Sequence, residues 1–130
     1  MKTNYYLTIG LILLTFFSCK SDDDSNQSEY PKTVNIKFEV VSDASLGGDF
    51  TTVIDNDSQD HFSGFPFSFS STQQEVNIGT YLKLIYSQNI SPFDEHNAEL
   101  RILVNNELVV SETFFITEDN NSGFIEYTFQ

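Results

Sequence analysis

The sequence predicts an all-β domain, a β-sandwich of about seven antiparallel strands and immunoglobulin-like in size. Three observations carry this expectation. Apolar residues recur with period two, most clearly at Val34, Ile36, Phe38 and Val40, with Asn35, Lys37 and Glu39 on the other phase. Turn-forming residues interrupt such segments at short intervals. The composition favours strands over helices: thirteen Phe and six Tyr stand beside alanine at Ala44 and Ala98 alone.

Val34 to Val40 reads as the first half-buried strand, followed by a turn-rich stretch from Ser42 to Gly48. Phe50 to Ile54 forms the second and ends in the turn Asp55-Asn56-Asp57-Ser58. Phe65, Phe67 and Phe69 alternate with Pro66, Ser68 and Ser70. Proline cannot donate to a ladder, so this strand belongs at an edge or carries a bulge. Glu75 to Tyr86 reads as one strand with a bulge at Gly79. Its half from Tyr81 to Tyr86 is apolar on both phases except at Lys83, as a central strand would be. Residues 89–97 form a loop around Pro92. Ala98 to Val104 and Leu108 to Val110 then flank Asn105-Asn106, a pair suited to a type I′ hairpin because Asn tolerates positive φ. After a polar loop at 117–123, Ile125, Tyr127 and Phe129 alternate in the final strand. The expected inward sets are Val34/Ile36/Phe38/Val40, Phe65/Phe67/Phe69, Leu82/Leu84/Tyr86, Leu100/Ile102/Val104 and Ile125/Tyr127/Phe129.

Residues 1–18 read differently. Lys2 supplies a minimal positive start, and an apolar run extends from Tyr5 to Phe17. The run falls short of the ~20 residues a spanning helix needs but suits the core of a secretory signal. It ends at Ser18-Cys19. A small residue before a cysteine resembles a bacterial lipobox, in which the thiol is acylated and the chain is cut just ahead of it. Phe16 stands where Leu is usual. The alternative is an ordinary signal peptide with an incidental cysteine. Residues 19–30 then form a lipidated cysteine and a polar, self-repelling tether, leaving 31–130 as the folded domain. Ser21-Asp22-Asp23-Asp24 resembles the surface-export signal of Bacteroidetes lipoproteins; a merely solvated linker is the plainer reading.

Charge narrows the partners. Nineteen acidic against six basic residues give a net charge of −13. Such a surface repels phosphate backbones and anionic headgroups, so nucleic acid is not an expected partner and membrane attachment would come from the lipid. Cys19 is the only cysteine, which excludes an intrachain disulfide and a cysteine metal cluster.

Residues 34–129 also resemble the MmpS-like family of small exported proteins. Lys37-Phe38-Glu39-Val40 is similar to its aromatic-Glu-Val opening, Phe65-Pro66-Phe67 to its Leu-Pro-Trp element, and Ile102 to Leu108 to its Ile-x-Val-Asn-Gly hairpin. Phe67 replaces Trp, Asn106 replaces Gly, and the cysteine pair of mycobacterial members is absent. The resemblance implies a transport-accessory role, since those members assist lipid-exporting transporters.

Few residues suggest chemistry. Asp55, Asp57 and Asp60 are candidates for gathering oxygens around Ca²⁺, although the spacing is not that of an EF-hand and Asp suits a solvated hairpin turn equally well. Glu118-Asp119 offers a thinner set. His61 and His96 are the only histidines, and both read as polar-loop residues. No nucleophile motif, P-loop or glycine fingerprint occurs, so neither catalysis nor a cofactor is expected. Phe62, Phe65, Phe67 and Phe69 could form a ligand platform, but their alternation favours the core. The expectation is a non-enzymatic, lipid-anchored outer-membrane protein, exposed at the cell surface, that binds an envelope protein, lipid or glycan. A surface module for glycan or Ca²⁺ is the alternative.

Replacing Asp22, Asp23 and Asp24 with Ala is expected to keep lipidation yet leave the domain inside. Protease added to intact cells should digest the wild-type domain and spare the triple variant. Equal protection of both would remove the surface expectation.

Overall fold

A computed structural model describes residues 29–130. It contains eight strands: β1 (Lys32–Ser42), β2 (Gly48–Ile54), β3 (Asp57–Ser63), β4 (Phe67–Val76), β5 (Tyr81–Ser87), β6 (His96–Val104), β7 (Glu107–Ile116) and β8 (Ser122–Thr128). They form two four-stranded antiparallel sheets, ordered β4-β1-β6-β7 and β3-β2-β5-β8. The all-β sandwich is therefore present, with eight strands where about seven were expected. β2-β3 and β6-β7 are hairpins within a sheet, and every other connection crosses between sheets.

The extra strand is β3, Asp57-Ser-Gln-Asp-His-Phe-Ser. Six of its seven residues are exposed and only His61 is half-buried, so apolar periodicity cannot reveal it. It pairs with β2 from Ile54↔Asp57 to Gly48↔Ser63. The expected strand from Glu75 to Tyr86 is likewise two strands. Gly79 is no bulge: it turns the chain between sheets at φ 87°, where a side chain would be strained.

Other expectations hold. β4 lies at an edge and also bulges opposite Asn35, where Gln73 takes φ 56°. β5 is central. Asn105 and Asn106 have φ 51° and 68°, the type I′ pattern. The core contains Val34, Ile36, Phe38, Val40, Phe67, Leu82, Leu84, Tyr86, Leu100, Ile102, Ile125 and Phe129, with Phe50, Val76, Ala98 and Ile116 added to the expected sets. Phe65, Phe69, Val104 and Tyr127 are only partly buried against it.

The sandwich has two unlike ends. At the entry end, Tyr30 leads into β1, Phe129 and Gln130 leave β8, and the two hairpins turn. Tyr30 already packs on the core, and its hydroxyl donates to the Gln130 carbonyl oxygen at 3.1 Å. The opposite, loop end collects the connections 43–47, 64–66, 88–95 and 117–121.

On one side the sheets close where β7 meets β8. A Cβ on Gly123 would lie 2.5 Å from the Phe114 ring, so only glycine allows that ring to lie on β8. Gly123→Ala is expected to cost about 1–3 kcal/mol of overpacking. Urea unfolding checks this, and an unchanged midpoint would mean the ring swings aside freely.

Candidate functional site

Three regions could carry function: the hollow at the entry end, the loop end, and the outer face of β3-β2-β5-β8. The first arises from a bulge. β6 and β7 slip in register between Ile102↔Val110 and Leu103↔Leu108, leaving Val109 unpaired. A bulge re-aims a side chain, and here Val109 lines two adjoining hollows. One, of about 390 Å³, is walled by Val34, Val104, Tyr127 and Phe129, with Tyr30 and Lys32 at its mouth. The other, of about 510 Å³, continues past Val110, Glu126 and Thr128. Together they follow the β7–β8 seam, with walls that mix apolar side chains with polar ones, among them Asn105, Glu107, Glu126 and Gln130.

The loop end is polar inside. His96 is buried at the start of β6, not in a polar loop as expected. Its Nδ1 lies 2.7 Å from the Asp94 carbonyl oxygen, which can only accept, so Nδ1 carries the proton. Nε2 is then placed to accept from the Tyr86 hydroxyl at 3.0 Å. Burial pushes the Tyr86 phenol up to about 12, so it remains a donor at neutral pH. Phe65 stands edge-on to both rings, at 5.3 Å from Tyr86 and 5.7 Å from His96. One turn of the alternation beyond Tyr86, Gln88 is 1% exposed. Above it, Asn121 Nδ2 donates to the Gln88 carbonyl oxygen and to Asn89 Oδ1, while Asn89 Nδ2 donates to Asp49 Oδ2.

His61 also lies outside any loop. It sits in β3, pairs with buried Thr52 through Nε2 at 3.1 Å, and packs on Phe67 and Phe69. This is a hydroxyl–imidazole pair, but Thr52 is 2% exposed and faces the core. Neither histidine has an exposed nucleophile bonded to it.

The outer face of β3-β2-β5-β8 carries Phe62 and Phe124, both well exposed. Lys83 lies over the Phe124 ring, 4.3 Å from its centroid, and bonds Glu126 at 2.9 Å. The Tyr81 hydroxyl donates to the same Glu126 oxygen. These two donors hold the Glu126 carboxyl below its usual range.

Asp55, Asp57 and Asp60, the candidates for Ca²⁺, are not brought together. Asp55 sits in the β2–β3 turn, where its Oδ1 accepts the Tyr81 N–H at 2.8 Å. Asp60 accepts from the Thr51 hydroxyl at 2.7 Å. Asp57 and Asp60, three apart on a strand, project to opposite faces. Among the described residues no group of three or more His, Cys, Asp or Glu side chains could hold a metal ion. Cys19, Ser21, Asp22, Asp23 and Asp24, and the signal segment before them, lie outside the described residues. Gln88 was not singled out by sequence, although Leu82, Leu84 and Tyr86 set its inward phase.

No protein-family model matches the chain. No curated protein matches it either.

The buried Tyr86–His96 bond gives a two-part expectation. Tyr86→Phe should cost about 1–3 kcal/mol at neutral pH, by leaving His96 Nε2 unpaired. The folded state holds the Tyr86 proton above the ordinary phenol value of 10.0. Stability from that proton is therefore complete below pH 10 and lost as pH rises toward about 12. Unfolding curves should fall with pH across that window in the wild type and less steeply in Tyr86→Phe. Parallel curves would contradict the assignment.

Proposed function

We propose that this chain is a non-enzymatic, lipid-anchored protein of the bacterial outer membrane, exposed at the cell surface, that acts as a binding or transport-accessory module. What supports the reading is the opposition of the two ends of the sandwich. The chain enters β1 beside Tyr30 at one end, and four connecting loops gather at the other. A domain held through Cys19 and the acidic stretch after it would present those loops away from the membrane. Its own charge would keep it off anionic headgroups.

The accessory part of the reading draws on the hollow along the β7–β8 seam, which lies at the entry end and therefore near the anchor. It also draws on the resemblance of residues 34–129 to MmpS-like proteins. A second reading, a surface glycan-binding module, is favoured by Phe62 and Phe124, the rings exposed on the outer face of β3-β2-β5-β8.

Cys19→Ala tests the anchor. Buried acyl chains contribute about 0.8 kcal/mol per CH₂, so losing them should release the protein from membranes. Metabolic labelling with palmitate is expected to mark the wild type and not the variant. Equal labelling of both would end the lipoprotein reading.

A further inference from the structure

Phe62 and Phe124 are turned to solvent on the outer face of β3-β2-β5-β8, 74% and 52% exposed. The strand registers place them. Phe62 on β3 stands opposite Asp49 on β2, which stands opposite Ser87 on β5. In the next outward row Thr51 stands opposite Ile85, and Ile85 opposite Phe124 on β8. The rings thus lie at opposite edges of one face, about 16 Å apart by strand spacing and rise. Asp49, Thr51, Ile85 and Ser87 form the bed between them.

The Phe124 ring is held in place. The Lys83 ammonium lies 4.3 Å from its centroid and bonds Glu126 at 2.9 Å, and the Tyr81 hydroxyl donates to the same Glu126 oxygen. A ring fixed this way loses little freedom when a ligand stacks on it.

Size and charge define the occupant. Four strands of seven residues make a face about 14 Å by 24 Å. That is under half of the ~800 Å² each side of a stable protein interface buries, so a second copy or another folded domain is a poor fit. The outward carboxylates Asp49, Asp60 and Glu126 outnumber Lys83, which disfavours an anion. Nor are they gathered for a cation: Glu126 bonds Lys83, Asp60 accepts from Thr51, and Asp49 accepts from Asn89. Each retains lone pairs that a hydroxyl can donate to. A sugar ring matches both features, since its C–H face suits the electron-rich face of a phenyl ring and its hydroxyls suit the carboxylates.

We propose that the outer face of β3-β2-β5-β8 binds a neutral, extended glycan, with Phe62 and Phe124 stacking on separate sugar units and Asp49 and Asp60 accepting from hydroxyls beside them. The distance between the rings requires a chain, because a single sugar covers one ring and cannot reach the other. The proposal rests on the glycan-binding reading and is independent of the lipid anchor.

The full chain, held in detergent, is titrated by calorimetry with cellohexaose, mannohexaose and xylohexaose, and with glucose, polygalacturonate and oligolysine alongside. At least one hexasaccharide is expected to bind saturably, and glucose at least tenfold more weakly. Phe62→Ala and Phe124→Ala should each weaken hexasaccharide binding about tenfold while leaving the melting temperature nearly unchanged, as for other exposed positions. Phe62→Tyr and Phe124→Tyr should keep it. Phe115→Ala, at a ring 56% exposed on the other sheet, should have no effect. If no hexasaccharide binds, both this proposal and the glycan reading fall. A hexasaccharide held equally well by the wild type and both alanine variants overturns the proposal and leaves the glycan reading standing. Polygalacturonate binding more tightly than every hexasaccharide overturns the neutral ligand, and binding confined to oligolysine and lost in the alanine variants assigns the face to a basic peptide instead.

Discussion

Phe50 lies face to face with Phe67 across the two sheets, with ring centroids 4.2 Å apart and planes within 5°. Its other neighbours are Tyr86, stacked at 5.1 Å, and Phe65, edge-on at 5.9 Å. Each such pair adds about 0.5–1.5 kcal/mol beyond simple burial. Their greater effect is geometric. Phe50 and Tyr86 are paired neighbours on β2 and β5, while Phe67 opens β4 in the opposite sheet. The stack thus fixes the spacing of the layers at the loop end. That spacing puts the Tyr86 hydroxyl on His96 and carries Gln88 inward.

Much of this architecture was legible in the alternation of the chain. Every strand that buries one phase of its side chains announced itself, and the Asn105-Asn106 turn was readable because few residue pairs accept positive φ twice. β3 was hidden for the opposite reason. An edge strand covered by solvent needs no apolar phase, and its Asp, Ser and Gln residues look like loop. The cue lay in Ile54-Asp55-Asn56-Asp57: a turn so short returns the chain directly alongside β2. Both histidines read as loop residues because their neighbours in the chain are polar. Each ring lies instead on an inward phase among aromatic neighbours.

Gln88 shows where pattern reading stops. Extending the phase of Leu82, Leu84 and Tyr86 by two residues would have put it inside, yet no rule of sequence says whether a buried amide finds a partner. That depends on which groups two separate connections bring to it, and those positions follow from the sheet order. The candidate calcium aspartates turn on a similar point. Three aspartates close in sequence became separated because a strand sends neighbouring side chains to opposite sides.

The outer faces also differ. On β4-β1-β6-β7, Lys37 pairs with Glu39, and Arg101 with Glu99, in a ladder that satisfies itself. On the other sheet, exposed rings sit beside a single Lys83–Glu126 pair. The entry of the chain has a mechanical consequence. β1 is an interior strand, held by β4 from Lys32 to Val40 on one side and by β6 from Ile36 to Ser42 on the other. A pull on the chain ahead of Tyr30, resisted by something gripped at the far end, runs parallel to that strand. Both ladders then bear the load together in shear, instead of peeling open one rung at a time. A domain threaded this way resists being drawn apart by flow or by a moving partner far better than one hung from an edge strand.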